Sequence, residues 1–511
     1  MVLGAALLGT AGGPGLFEST ETRYAEIARE MLASGDWLVP HLNGIQHFHK
    51  PPLAYWAAGS GLALFGINAW GARIPVALAA LIGLVCVARL VARRFATLEV
   101  APSRVVWVTG SALLFAVIGR ALSADPFLTA AVLLYWALAP SPWAIAALGL
   151  GFFAKGPVVL VHTVLPVLVA AAWGRDRKML AMIGPPRGWL LCALIALPWY
   201  LLVVARTPGL LEYLLGNQVW GRFATTVHER GGPPWYFAAV LLAGIAPWTV
   251  ALLQGLRRTW RDRSRPEARL ALAWLVVPLV FLSFSGSKLP AYALPSFAAA
   301  GLIAARGLDG RAWRWGTALL LAGSIVAALT LGGPALARLA GVAQPDAIGL
   351  PSGALAACAL LGLATLAALR GRPDACAAAF AIAIAVLGWA AVRYDSQLGS
   401  PRRIAQMLRE HRAPSEPVVE VGHFNAGLPF YLRERVRLLE VPREVGFETA
   451  PARARVELAA DSLPALVTRH GRVWTFGREV RVEEIAREQG LRYVRLATWR
   501  REALGFVTAA P

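Results

Sequence analysis

The sequence has few charged residues and almost no lysine. Only 16% of its 511 residues are charged, whereas 57% are hydrophobic, and this balance excludes an ordinary soluble domain of such length. The 50 basic residues include only four lysines, Lys50, Lys155, Lys178 and Lys288. Arginine therefore fills the routine basic positions, and the retained lysines are candidates for specific roles.

Cysteine is equally scarce. Cys86, Cys192, Cys358 and Cys376 lie in or at the edges of apolar segments, and no two of them have CxxC spacing. This pattern predicts neither a disulfide framework nor a cysteine-ligated zinc site.

The formal net charge of +20 does not indicate a nucleic-acid partner. The basic residues form no single block and follow no single amphipathic face, as a polyanion-binding surface would require. They fall in short clusters between apolar segments instead. Such clusters are typical of cytoplasmic loops that obey the positive-inside rule.

Thirteen apolar segments are long enough, or nearly so, to cross a bilayer, for which about 20 residues are needed. The sequence therefore predicts a polytopic α-helical membrane protein with about 13 transmembrane helices. The segments are 2–16, 73–92, 105–119, 126–140, 142–154, 157–173, 188–205, 234–256, 269–285, 290–305, 315–332, 348–369 and 374–392.

Five basic loops fall on alternate sides of successive apolar segments, and these loops predict the cytoplasmic face. They contain Arg93 to Arg104, Arg175 to Arg187, Arg257 to Arg265, Arg306 to Arg314, and Arg370 to Arg372. The opposite, extracytoplasmic face then receives the segment 17–72, the turns at Asp125, Lys155 and Lys288, the loop 206–233, and everything after residue 393.

Two parts of the chain are predicted to lie outside the spanning helices. The outer loop 17–72 contains two amphipathic stretches, 21–33 and 51–65, which are suited to interfacial helices. From about residue 395 the composition becomes rich in Arg and Glu, and the alternating stretches 417–421 and 493–496 indicate strands. We expect a transmembrane domain over 1–393 and a small extracytoplasmic α/β domain over 394–511 that acts as a lid.

Polar residues at helix mouths are costly, so a set of them on one face predicts a site. Lysine and arginine at the mouth of an apolar groove suit a phosphate carried on a lipid, and a nearby carboxylate suits a hydroxyl acceptor that needs a base. The extracytoplasmic set comprises Glu21, Arg23, Tyr24, His49, Lys50, Asp125, Lys155, Arg222, His228, Lys288 and Tyr292.

Plainer interpretations stay open for several of these residues. Glu21 and Arg23 suit the solvated face of an interfacial helix, and Lys288 with Tyr292 suits a pair that reaches to the membrane surface. Asp125 suits a helix cap. His228 suits an ordinary loop histidine.

A series of short motifs runs through the membrane part of the chain. They are Thr20-Glu21-Thr22-Arg23-Tyr24-Ala25-Glu26-Ile27, Ser34-Gly35-Asp36-Trp37-Leu38-Val39-Pro40, His49-Lys50-Pro51-Pro52-Leu53, Tyr55-Trp56, Asp125-Pro126, Lys155-Gly156-Pro157, Pro198-Trp199-Tyr200, Arg222-Phe223, Pro234-Trp235-Tyr236, Pro247-Trp248 and Ser287-Lys288-Leu289-Pro290-Ala291-Tyr292. In this order they resemble the lipid-A aminoarabinose transferases and the protein O-mannosyltransferases, which are GT-C glycosyltransferases that use polyprenyl-phosphate sugars. The resemblance covers the membrane part, and only Phe430-Tyr431-Leu432 continues it in the tail.

The resemblance implies roles for several of these residues. Lys50, Arg222 and Tyr292 would hold the donor phosphate, with help from Arg23 and Tyr24. His49, Lys155, His228 and Lys288 complete the expected substrate-binding set. Asp125 would face the sugar or the acceptor.

Two departures from the family pattern bear on catalysis. Thr20 stands where the family usually has a catalytic Asp, and His49 stands where it usually has Glu. Glu21 or Asp125 is then the expected catalytic carboxylate. A phosphate acceptor, with a second pKa of about 6, would need no base at all. The presence of Thr20 in place of Asp therefore slightly disfavours a hydroxyl acceptor, unless Glu21 serves as the base.

The resemblance thus implies a bacterial inner-membrane glycosyltransferase that moves a sugar from a polyprenyl-phosphate donor to an extracytoplasmic lipid or glycan, such as lipid A. A protein O-mannosyltransferase acting on Ser or Thr is the same chemistry with another acceptor. A flippase or transporter is the alternative of another class, although its polar residues would usually lie near the midplane. We expect membrane lipids as partners and no nucleic acid. The sequence identifies no certain cofactor, and His41, His47 and His49 leave a divalent metal open.

Overall fold

The computed structural model of the protein describes residues 1–216, 231–339, 352–442, 453–459 and 461–510. Most of the chain up to residue 394 is helical. Its α-helices are α1 Val2–Gly9, α2 Thr20–Ser34, α3 Leu53–Phe65, α4 Ala69–Arg94, α5 Pro102–Ser111, α6 Leu113–Ile118, α7 Ala124–Leu138, α8 Pro142–Lys155, α9 Val158–His162, α10 Val164–Gly174, α11 Pro186–Arg206, α12 Leu210–Glu212, α13 Tyr236–Gly244, α14 Thr249–Arg261, α15 Pro266–Ser283, α16 Phe297–Arg306, α17 Ala312–Leu339, α18 Ser352–Leu369 and α19 Pro373–Ala390. Short 3₁₀ helices cover Ala96–Leu98, Arg177–Ile183, Pro290–Ser296 and Ala391–Tyr394.

The prediction of a polytopic helical membrane protein is confirmed. Within the described residues, five helices are long and apolar enough to span a bilayer, or six if α13 and α14, which meet at a bend of 112°, form one span. Several other apolar helices, among them α3, α7 and α8, are shorter. The count of about 13 spans therefore stays a prediction.

The ends of the long helix α4 show how the sequence sets the helix bounds. The Asn68 side chain accepts a hydrogen bond from Gly71 N at 3.0 Å, which caps the first turn. Arg93 and Arg94 occupy the last turn, where positive charge complements the helix dipole. The helix thus begins at a polar cap and ends at the first basic loop.

The five basic loops lie on one face of the helical part, as the alternation of charge predicts. Arg94 reaches Met182 Sδ at 3.2 Å, and Arg265 donates to the carbonyl of Thr97 at 3.1 Å. Arg258 pairs with Asp309 at 2.6 Å. The Arg314 guanidinium packs beside Gly371, so each of the five loops touches another.

The outer loop 17–72 forms two helices, α2 and α3, with a short hairpin between them. The hairpin strands are β1 His41–Leu42 and β2 Ile45–Gln46, which pair antiparallel. The two helices match the predicted stretches closely. However, α2 is largely buried, because α3 packs on one side of it and the tail on another. The solvated face suggested for Glu21 is therefore wrong, and the position of α2 and α3 at the membrane interface stays a prediction.

The tail is an α/β unit built on a five-stranded sheet in the order β4-β3-β5-β7-β6. Strands β3, β4 and β5 are parallel, and β6 and β7 form an antiparallel hairpin at the edge. The elements are α20 Asp395–Leu398, α21 Arg402–His411, β3 Val418–Val421, α22 Gly427–Leu432, β4 Arg437–Leu439, α23 Leu463–His470, β5 Val473–Gly477, α24 Glu479–Glu488, β6 Leu491–Trp499 and β7 Glu502–Ala509. Two of these strands contain the stretches 417–421 and 493–496 almost entirely, as predicted.

The tail packs directly on the outer loop. Asn43 exchanges two hydrogen bonds of 3.0 Å with the backbone of Val436, and Leu16 N donates to the Tyr431 hydroxyl at 2.6 Å. Arg435 pairs with Glu30 at 3.2 Å. The loop and the tail therefore share one face of the molecule.

Candidate active site

Asp125, Lys155 and Tyr292 come together from three separate elements. Asp125 is the second residue of α7, and its carboxylate forms a buried ion pair with the Lys155 ammonium at the end of α8. The same ammonium lies 4.0 Å from the centre of the Tyr292 ring, a distance typical of a cation–π contact. The residues are separated along the chain, but they form one compact cluster.

Local sequence explains how the two charged partners are presented. Ser123, not Asp125, is the N-cap residue of α7, so the cap interpretation of Asp125 is wrong and its carboxylate is available to Lys155. Gly156 follows Lys155 with φ of +78°, a conformation that glycine adopts readily. This residue ends α8 directly after the lysine.

Asp125 keeps one oxygen available for chemistry. Lys155 contacts Oδ1, and within the described parts of the chain no hydrogen bond to Oδ2 is formed. A carboxylate with one oxygen held by a cation and the other unused is oriented and can still accept a proton from a bound hydroxyl.

Lys288 lies beside this cluster. Its ammonium donates to the carbonyl of Ser285 at 2.9 Å, and its stem runs past Gly232 and Tyr236. Tyr236 lies beside the same glycine, Gly232. The contact with Ser285 shows that Lys288 is anchored to the protein and does not simply extend to the membrane surface.

An aromatic cluster holds the Lys50 segment against the end of α8. Phe48 is completely buried and belongs to the same apolar cluster as Phe153 and Trp199. On α3, Trp56 packs edge-on against Phe153 at 5.1 Å between ring centres. The cluster therefore places the segment that precedes Lys50 beside the last turn of α8, which ends at Lys155.

Tyr24, His47 and His49 lie in the outer loop as predicted. The Tyr24 ring lies 4.9 Å from that of Tyr55, and the rings of His47 and His49 are 3.9 Å apart. Among the described residues, no group of three or more His, Cys, Asp or Glu side chains is placed to hold a metal ion. Arg222 and His228 lie outside the described residues.

Glu21 is engaged on every side. Its two oxygens accept hydrogen bonds from Arg73 Nε at 2.8 Å and from a second guanidinium nitrogen. They also accept from Phe17 N at 3.1 Å and Leu122 N at 2.9 Å. These four contacts indicate a structural carboxylate, since no lone pair is left free for a substrate proton.

Arg73 is a residue that sequence reasoning missed. It is 4% exposed and also donates to the carbonyls of Ala11, Pro14 and Gly15. Its position near the start of a long apolar helix could have identified it as a candidate for an ion pair, because buried charges in membrane helices require partners. Its partner Glu21 is 52 residues away, so spacing could not identify it.

The chain is similar to several proteins of known sequence or structure. The sequence profile of the dolichyl-phosphate-mannose-protein mannosyltransferase family matches residues 16–214. The undecaprenyl phosphate-alpha-4-amino-4-deoxy-L-arabinose arabinosyl transferase of Erwinia tasmaniensis is 33% identical over 341 residues, which are 62% of this chain and 61% of that protein. A second such enzyme, from Sodalis glossinidius, is 36% identical over 57% of this chain and 55% of its own length. The matching region thus spans less than two thirds of these relatives.

The crystal structure of ArnT from Cupriavidus metallidurans bound to undecaprenyl phosphate superposes with a TM-score of 0.79 at 24% identity. The match covers 99% of this chain and 96% of that one. The chain has the fold of this transferase. The resemblance predicted from the sequence is thereby confirmed, and it extends through the tail, where sequence similarity alone was loose.

Proposed function

We propose that the protein is a membrane glycosyltransferase that moves a sugar from a polyprenyl-phosphate donor to an extracytoplasmic acceptor, lipid A or another envelope glycan. The Asp125–Lys155–Tyr292 cluster is the observation that carries this proposal. It combines a carboxylate, a cation and an aromatic hydroxyl at the ends of apolar helices, which suits a lipid-borne phosphate and a sugar together. The relatives named above act on undecaprenyl-phosphate aminoarabinose, which supports an amino-pentose as the sugar.

The donor phosphate is bound by Lys50, Arg222 and Tyr292, with Arg23 and Tyr24 assisting. Lys155 and Lys288 add positive charge at the same helix mouths and stabilise the phosphate as it leaves the anomeric carbon. Displacement at that carbon inverts its configuration. His49 and His228 complete the substrate-binding set.

Asp125 is the catalytic carboxylate in this proposal, and Glu21 is not. Glu21 and Asp125 were equal candidates by sequence, but the four donors around Glu21 leave it no capacity for a proton from the acceptor. Asp125 retains Oδ2. A hydroxyl acceptor therefore has a base available even though Thr20 replaces the family's usual Asp.

A protein hydroxyl is the second candidate acceptor, because the family profile that matches residues 16–214 describes protein mannosyltransferases. Mass spectrometry of lipid A, envelope glycans and secreted proteins from a deletion strain distinguishes the two acceptors. Loss of an amino-pentose from lipid A supports the first. Loss of hexose from secreted proteins supports the second, and no change in any fraction would contradict both.

We further propose the membrane orientation and the domain division. Residues 17–72 and 394–511 lie outside the cytoplasm, and residues 1–393 form the transferase domain. The contacts between the outer loop and the tail support their placement on the same side of the membrane. The five arginine-rich loops form the opposite face, which the positive-inside rule assigns to the cytoplasm.

Reporter fusions test this orientation. A fusion at Arg265, in a basic loop, is expected to report the cytoplasm, and a fusion at Ala452, in the tail, is expected to report the opposite side. The physical reason is the excess of arginine in the first region. The paired use of alkaline phosphatase and a fluorescent protein makes each position its own control. Both fusions reporting the cytoplasm would contradict the topology.

Lys50→Ala is expected to weaken donor binding about ten- to a hundredfold. It removes a charge-assisted bond to the donor phosphate, and such bonds contribute roughly 1.5–3 kcal/mol. Binding is measured with polyprenyl-phosphate donor on purified protein in nanodiscs. Lys178→Ala is the matched control, because Lys178 is exposed in a basic loop on the other face. Equal affinity in the two variants would remove Lys50 from the donor site.

A further inference from the structure

Three carboxylates gather where the tail meets the segment that leads into α2. Glu18 belongs to that segment, and its Oε1 accepts a hydrogen bond from Gly427 N of the tail at 2.6 Å. Its own backbone N–H donates to the carbonyl of Gly399 at 2.9 Å. Glu18 is thus a direct contact between the two units.

Glu420 and Glu502 belong to the tail sheet. Glu420 lies on β3 opposite Phe476 of β5, which in turn lies opposite Leu504 of β7. Because side chains on a strand alternate, Glu502 shares the face of Leu504. This face packs mainly against α21 and α22 of the tail, with one residue of the outer loop in the same apolar cluster. Glu18 bonds to the first residue of α22, and the three carboxylates interact electrostatically.

Few hydrogen-bond donors contact the carboxylates of Glu420 and Glu502. Glu420 is 0% exposed, and Asn425 N donates to its Oε2 at 2.7 Å. Within the described residues, Glu420 Oε1 and Glu502 Oε2 are buried without a hydrogen-bond donor. A buried ionised oxygen without a donor is costly, whereas a protonated carboxyl can itself donate.

The positive groups around the cluster are unevenly distributed among the three carboxylates. Arg23 lies near Glu18, and Arg478 and Arg500 lie near Glu502. No cation acts on Glu420 among the described residues. His423, on the turn that follows β3, adds one more titratable group.

Burial accordingly shifts all three carboxyls towards the protonated form. It raises the pKa of Glu18 and of Glu502 to about 7 and raises the pKa of Glu420 well above its usual range. Once the tail separates from the loop, water reaches Glu18, and the repulsion between Glu18 and the two tail carboxylates ends, so the raised pKa values fall.

We propose that proton uptake by Glu18, Glu420 and Glu502 docks the tail on the outer loop, so that the tail is a pH-controlled lid over the loop that carries Lys50. The docked state has the higher pKa values and therefore binds more protons. Docking is strongest in acid and is lost as the pH rises through about 7. With the tail outside the cytoplasm, the lid responds to the pH of that compartment.

Electron-paramagnetic-resonance distances between labels on the loop and the tail test the proposal in the full-length protein in nanodiscs. Ala33→Cys at the end of α2 and Gln406→Cys on α21 are both exposed, and the four native cysteines are first replaced by alanine. The docking equilibrium constant is expected to fall by about tenfold or more between about pH 5.5 and 8.5. An unchanged distance distribution over that range would overturn the proposal.

Three variants assign the effect to the cluster. Glu18→Gln keeps an acceptor for Gly427 N but cannot titrate, and Glu502→Gln does the same on the tail, so each is expected to flatten the pH dependence. Glu483→Gln, on the exposed face of α24, is the matched control and retains the full response. His423→Gln is also expected to retain it.

Equal responses in Glu18→Gln, Glu502→Gln and Glu483→Gln would overturn the assignment to these carboxylates, as would loss of the response in His423→Gln alone. The distance measurement does not depend on sugar transfer. Failure of the lid and failure of the proposed transferase activity are therefore distinguishable.

Discussion

Asp125→Asn is expected to lower the rate of sugar transfer about 10²–10⁴-fold, the usual contribution of a positioned acid or base, while donor binding stays close to that of the unchanged protein. The amide has the size of the carboxylate and still offers Lys155 an oxygen acceptor. It cannot take a proton from an acceptor hydroxyl. The loss should therefore fall on turnover.

The measurement is single-turnover transfer, together with donor binding, by purified protein in nanodiscs. Asp374→Asn is the matched control, since Asp374 is also the second residue of a membrane helix but is exposed. Retention of most of the rate in Asp125→Asn would contradict the role of Asp125 as base. It would also favour a phosphate acceptor, which is a nucleophile without help.

Features that depend on local sequence could be predicted. The apolar segments, the basic loops, the helices α2 and α3 and the strands β3 and β6 each follow from composition or periodicity over a few residues. The lysines Lys50 and Lys155 were identified because the rest of the chain uses arginine. The packing of Phe48 and Phe153 into one cluster, which brings the segment before Lys50 to the end of α8, could not be predicted from either local pattern.

Features that depend on contacts between distant parts of the chain could not be predicted. Asn43 and Val436 are 393 residues apart and exchange two hydrogen bonds, and nothing in either local pattern indicates the other. The burial of α2 also results from a contact between distant parts of the chain. The tail covers a face of α2 that the periodicity of the α2 sequence marks as polar.

Contacts with distant residues change the role expected for Glu21 from catalytic to structural. By sequence it was one of two candidate bases, next to the position of a missing Asp. Its ion pair with Arg73 and its bond to Leu122 N, three residues before Asp125, make it a support that connects α2, α4 and the start of α7. The carboxylate that remains available is the one that the sequence could not distinguish from a helix cap.

Arg73→Met is expected to destabilise the protein by about 3–5 kcal/mol, because it leaves the buried Glu21 carboxylate without its counter-ion. It also removes donors from three backbone carbonyls of the preceding segment. Stability is measured as the fraction of monodisperse protein that survives heating in detergent. Arg89→Met in the same helix is the matched control, since Arg89 is exposed and should have little effect.

The double variant Arg73→Met with Glu21→Gln is expected to recover part of the loss, because a neutral amide costs less to bury than an unpaired carboxylate. Glu21→Gln alone should lower stability but leave turnover per folded molecule nearly unchanged, since Asp125 is intact. Equal stability of Arg73→Met and Arg89→Met would contradict the buried pair. A fall in turnover of about 10²-fold or more in folded Glu21→Gln would restore Glu21 as the base and displace Asp125 from that role.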